Sequence, residues 1–269
     1  MFARLSVIAA AAVTAFPVWA APVDDLINVL GVAQIVDVMR TEGLDYGDEL
    51  ARDLLPGGKS AAWSAVVSSI YDTDSMYEIV RAKFSESMGD QDVAPLLEYF
   101  ATQDGQRVVA LELEARQAMM EGDVEDVARA TFRDLDGTGD PRLGQLETFV
   151  EANDLIESNV AGALNASFHF YTGLLDGGAI DLSEAEIIAD VWEQEDETRQ
   201  DTREWLYGFL LLAYGPLSDE TLDDYIDISS SEEGRVMNRA LFAGFNKMYD
   251  EISHRLGLAS ARQMQAQDL

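Results

Sequence analysis

Apolar residues recur at three- and four-residue steps along nearly the whole chain, and runs that alternate apolar with polar residues are missing. Such spacing lines one face of a helix, whereas strands need a period of two and favour clustered Val, Ile and Thr. The pattern therefore predicts an all-α protein, a bundle of about nine to eleven helices.

The run over residues 158–175 organises the rest. It is the longest stretch after the first twenty residues without Asp, Glu, Lys or Arg, and Val160, Leu164, Phe168, Tyr171 and Leu175 recur through it at helical steps. A helix apolar around most of its circumference belongs in the middle of a bundle. The periodicity from Leu143 enters this run without a breaker, so the spacing predicts one long helix, or two with a bend near Gly162. Ahead of it, helices are expected over 23–39, 46–55, 60–70, 73–88, 92–100, 105–119 and 123–132. Behind it, Ser183 with Glu186 and Ser230 with Glu233 have capping-box spacing. The charged segment 193–204 is expected to be a solvated face, and the last long helix to end near Leu256, with a frayed tail past Gly257.

Sliding the chain on itself by about 129 residues sets Val93, Leu96, Leu97 and Gly105 on Leu222, Tyr225, Ile226 and Gly234. The organisation expected is two similar helical halves, 21–140 and 179–257, joined by a central apolar helix at 141–178, with a leader at 1–20 and a tail at 258–269.

The leader changes the picture of compartment. Arg4, an apolar stretch from Leu5 to Phe16, Pro17, and small residues before Ala21 form the layout of a secretory signal peptide. About a dozen apolar residues are too few to span a bilayer. The mature chain is thus expected in the periplasm, without a transmembrane segment. No Cys is present, which removes disulfides, thiol catalysis and thiolate metal sites.

Charge narrows the partners. The chain carries 18 Lys and Arg against 50 Asp and Glu, a formal net charge of −32. Nucleic acid is excluded as a partner bound through its phosphates, since that mode needs clustered cations. A solubility adaptation is the leading account of the acidity, ahead of an acidic surface for cationic partners or divalent ions.

Candidate chemistry is sparse. Gly58-Lys59-Ser60 lacks the earlier glycine of a phosphate loop, Asp53 standing in its place. Asp134, Asp136, Thr138 and Gly139 fall on calcium-loop positions, but Pro141 and Gln145 stand where that loop needs an apolar residue and a bidentate Glu, so an ordinary polar turn is favoured. His169 and His254 are the only histidines. Ser158, Gly162, Asn165, His169 and Thr172 share one face of the charge-free helix; Asn165 and His169 are the candidate ligand-pocket residues, weighed against a satisfied core histidine beside small residues. No catalytic, cofactor-binding or metal residue is assigned.

The segment Leu96-Leu97-Glu98-Tyr99-Phe100, a polar turn, then Gly105-Gln106-Arg107, resembles a piece of an uncharacterised exported bacterial family, a domain of unknown function numbered twenty fifty-nine. Leu222 to Phe245, with Glu233-Gly234-Arg235 and Asn238-Arg239-Ala240-Leu241, is similar to the same piece. The segments Asn153-Asp154-Leu155-Ile156-Glu157 and Asn159 to Asn165 are similar to its alphaproteobacterial members. The family's usual Ser-Pro ahead of the junction glycine is Gln103-Asp104 in one copy and Glu232-Glu233 in the other. The resemblance implies an exported, all-helical protein and supplies no activity to transfer. The function expected is a non-enzymatic binding or interaction module of the cell envelope, engaging a protein or small ligand. The rival is an envelope hydrolase or metal-assisted enzyme using acidic residues and His169.

Overall fold

A computed structural model describes residues 20–55 and 57–267; the expected signal peptide lies almost wholly outside them. Among the described residues there are thirteen helices and no strand, so the chain is an all-α bundle. In chain order they are α1 (Ala20–Val29), α2 (Val32–Leu54), α3 (Ala61–Ile70), α4 (Thr73–Met88), α5 (Ala94–Phe100), α6 (Gln103–Ala118) and α7 (Gly122–Leu135). There follow α8 (Pro141–Ala152), α9 (Leu155–Asp176), α10 (Glu184–Trp192), α11 (Glu195–Tyr214), α12 (Asp219–Ser230) and α13 (Glu232–Gln267). None is long and apolar enough to cross a membrane.

Side-chain caps set many of the starts. Ser60, Asp72, Thr102, Asp140, Ser183 and Ser218 each accept a hydrogen bond from the amide three residues on, satisfying a donor the helix leaves free. Ser183 and Glu186 complete the expected capping box. The second one does not form: Ser231, not Ser230, receives the Gly234 amide at 3.0 Å, and the Ser230 hydroxyl is buried without a partner.

Three breaks differ from the sequence reading. Residues 40–45 continue α2, and the interruption falls earlier, at Gly31, whose φ of 68° caps α2 in the left-handed region. Continuity there lets Gly43 lie under the Tyr71 ring and Gly47 under Val67, where no side chain would fit. The bend expected near Gly162 is at Asn153–Asp154; Asp154, at φ 53°, is the one non-glycine residue with positive φ among the described residues. Gly162 stays helical and faces Asn246 of α13. The tail past Gly257 does not fray but continues α13 to Gln267. Gly257 meets the Phe170 carbonyl, Gly173 meets the His254 carbonyl, and Gly177 meets Ala261, so missing side chains let α9 and α13 close on each other's backbones.

One main core takes in Trp63, Phe84, Phe100, Phe132, Leu146, Leu210 and Tyr214. Two ladders of contact recur in it. α1 lies on α2, α4 and α5, while α8 lies on α9, α11 and α12; α2 touches α3, α4 and α6, while α9 touches α10, α11 and α13. Across the molecule, α4 packs on α13 and α11 on α6. The turn into α6 and the turn into α13 have the same build. Thr102 accepts from Gly105 and donates to the Tyr99 carbonyl at 2.7 Å; Ser231 accepts from Gly234 and donates to the Ile228 carbonyl at 2.7 Å. Both glycines press on the last turn of the preceding helix.

Residues 193–204 are more than a solvated face. Arg199 pairs with Glu157 and Glu195, Arg203 with Asp136, Arg133 with Glu204, and Arg129 with Asp201, an ionic seam tying α11 to α9 and α7. Arg203 also lies over Phe132, 4.7 Å from its centroid.

Candidate functional site

α9 runs along α13, with Gly173 and Leu174 buried at that contact, but Ala161, Ala163 and Asn165 stay exposed, so it is not enclosed as a central helix would be. It also packs on α11, and on α10, a helix of 9 residues. Ile187 and Val191 of α10 meet Val160 and Leu164 in a small apolar cluster separate from the main core, with Phe168 packed against it. The apolar stripe on α10 is wider than its one neighbour covers. Ile188 remains 41% exposed and Trp192 63%, the most exposed aromatic ring among the large apolar side chains described. Ile187 and Val191 thus face α9, while Ile188 and Trp192 face outward.

Between the helices lies an open groove of about 250 Å3, lined by Leu164, Asn165, Phe168, Ile188, Val191 and Trp192. Asn165 is exposed at its edge. His169, one turn on, does not line it. Its Nε2 lies 3.7 Å from Asp250 Oδ2 of α13, with the imidazole 37% exposed. Burial pushes the Asp250 carboxyl above its ordinary range, against the opposing pull of His169, and Asp250 Oδ1 is buried without a partner. Thr172 returns its hydroxyl to the Phe168 carbonyl at 2.9 Å, and Gly162 faces Asn246. The five-residue face of α9 is therefore divided. Asn165 serves the groove, while Gly162 and His169 serve the α9–α13 contact.

The groove lining is apolar apart from Asn165, and the charged residues beside it in the chain are acidic. Glu184 stands one turn before Ile188, and Glu193 and Asp196 follow Trp192, all exposed. At the start of α10 the Ser183 amide and hydroxyl hold the Glu186 carboxyl below its usual range, so it stays ionised.

Elsewhere, the suspected calcium loop directs its oxygens to other work. Asp136 takes Arg203, Asp140 caps α8, and Thr138 donates to the Leu135 carbonyl. Among the described residues no three His, Asp or Glu side chains gather as a metal site would require. A wider hollow of about 500 Å3 lies between the turns into α6 and α13, lined by Thr102, Asp104, Asp224, Asp227 and Ser231 among others.

Sequence reasoning missed a polar cluster in the interior. Tyr214 donates to Glu112 Oε1 at 2.5 Å and Tyr225 donates to the same oxygen at 3.0 Å. Loss of solvent pushes the carboxyl up despite these bonds, and keeps both phenols protonated well past their usual range. No sequence signal marks Glu112, since a Glu at this point of a helix is ordinarily solvated. The outward Trp192 was findable, because apolar residues at 187, 188, 191 and 192 overfill a helix with one neighbour. No family model, no curated protein and no solved structure matches this chain.

Proposed function

We propose that the chain is an exported, non-enzymatic interaction module of the cell envelope, with the α9–α10 groove as its working surface. The observation that carries this is the exposure of Ile188 and Trp192 beside Leu164, Phe168 and Val191. A chain this acidic leaves little apolar surface to chance, and aromatic rings at the edge of a cleft are the residues that anchor partners. His169 does not favour the hydrolytic alternative, because it meets a single carboxylate, Asp250, and does not line the groove. The secretory layout of residues 1–20 supports export.

The same reading takes α1–α6 and α8–α13 as two units of one duplicated plan, with α7 as the join. The paired contact ladders and the shared turns at Gly105 and Gly234 support it. On this reading α9 is the second unit's counterpart of α2, and resemblance to the exported family named above supports the same organisation.

Two experiments test the proposal. Fractionation and intact mass should find the chain in the periplasm, beginning at Ala21. A photo-crosslinking residue at position 192 in the producing cell should give a discrete adduct that the same residue at Val127, exposed on α7, does not. A cytoplasmic chain that keeps its first twenty residues, or identical bare chains at both positions, would defeat it.

A further inference from the structure

What the groove would hold can be argued from its size and its surroundings; the argument rests on the interaction-module reading and adds the chemistry of the partner. At about 250 Å3 the groove is smaller than the roughly 300–1,000 Å3 of clefts that enclose a small ligand. It fits an apolar anchor projected from something larger. Both of its walls come from the segment between Arg142 and Arg199, which holds thirteen Asp or Glu and no Lys or Arg. The nearest cation along the chain, Arg199, is already held by Glu157 and Glu195. An apolar slot built from a segment whose charged side chains are all carboxylates disfavours acidic segments and attracts basic ones, which gives selectivity as well as rate. A second copy of this chain would bring the same carboxylates against it, so self-association is disfavoured by charge.

We propose that the α9–α10 groove docks a basic amphipathic helix of a partner protein, seating an apolar side chain between Phe168 and Trp192 while flanking Lys or Arg residues meet Glu184, Glu193 and Asp196. The helix-in-groove mode reads such a partner at i, i+3 and i+4 anchor positions.

The test uses the purified chain and a fluorescein-labelled 14-residue peptide of Leu and Lys at helical spacing, with Glu in place of every Lys as the control peptide. Anisotropy at low salt should show saturable binding of the Leu/Lys peptide and none of the Leu/Glu peptide. The double substitution Ile188→Gln, Trp192→Gln should weaken binding by about tenfold or more, as loss of a central anchor does. Glu184→Gln with Glu193→Gln should instead flatten the salt dependence. These side chains are exposed, and a melting curve for each variant checks that the fold is kept. Unchanged binding by the Ile188/Trp192 variant, equal binding of the Leu/Glu peptide, or no binding of either would overturn the proposal. So would a dimer of the wild-type chain that the double variant abolishes, since a second copy would then be the occupant. A partner crosslinked at position 192 beside a failed peptide test would sink the basic-helix assignment and leave the module reading standing; failure of both would remove both.

Discussion

Glu112 sits at the inner face of α6 with two phenols pointed at it and no cation beside it. Its carboxyl is held above the ordinary range because loss of solvent outweighs the two hydrogen bonds. The folded chain therefore binds this proton more tightly than the unfolded chain. Below the ordinary carboxylate range the group is neutral in both states and costs nothing. As pH rises from there through the folded value, stability is lost. Glu112→Gln removes this dependence while keeping an oxygen for Tyr214 and Tyr225. The stability of the variant minus that of wild type, from urea melts, should increase from pH 4 to pH 8; any fixed cost of the amide cancels in that slope. A difference flat with pH, or falling, would contradict this account. At the same scale, local motifs were readable only where one side chain decides. The Ser183 box was legible because Ser and Glu satisfy each other within one turn. Asp154 was not, since a left-handed Asp is set by how α8 meets α9 and carries no marker that a Gly would.

Among the elements, the α9–α13 contact depends on what is absent. Gly257 and Gly173 place bare backbone against backbone, so a methyl group at 257 would push on the Phe170 carbonyl, which cannot rotate away. Gly257→Ala should lower stability by about 1–3 kcal/mol, the range for forcing a carbon into packed space. Gly144 is the opposite case, exposed in α8 with nothing near its missing side chain. Gly144→Ala should raise stability by about 0.5–1 kcal/mol through lost unfolded-state freedom and better helix propensity. Equal effects at the two glycines, by urea melts, would show that helix propensity alone governs both. Most helices were legible, because three- and four-residue spacing survives whatever they pack on. Their joints were less so. Arg40 to Asp45 looks like a pause in periodicity, yet it is α2 carried across two buried glycines.

For the whole molecule, an all-α bundle followed from periodicity alone, but the pairing of faces did not. An apolar stripe says that a helix has a neighbour without saying which one, and α4 finds its partner in α13, far along the chain. The candidate site shows the same limit. Asn165 and His169 were legible as polar residues in a charge-free helix, while their division between groove and interface needed the positions of α10 and α13. Charge acts at this scale too. With a net charge of −32, self-repulsion reaches across the molecule, whereas each exposed ion pair contributes only about 0.2–1 kcal/mol. Raising NaCl from 10 mM to 0.5 M should raise Tm by roughly 3–6 °C, corresponding to about 1–2 kcal/mol of relieved repulsion. A fall in Tm would mean that the arginine seam along α11 outweighs the net charge.

The reach of α13 also sets an order in time. Of the helices described α13 is made last, and Arg255 in its second half closes on the carbonyls of Ser69 and Ile70 at the end of α3. α4 and α9, made earlier, must likewise wait for α13 before their buried faces are covered. A growing chain therefore cannot finish its interior one piece at a time from the first residue onward, as chains with local contacts do. The interior remains open until α13 has been made, and then closes as a whole.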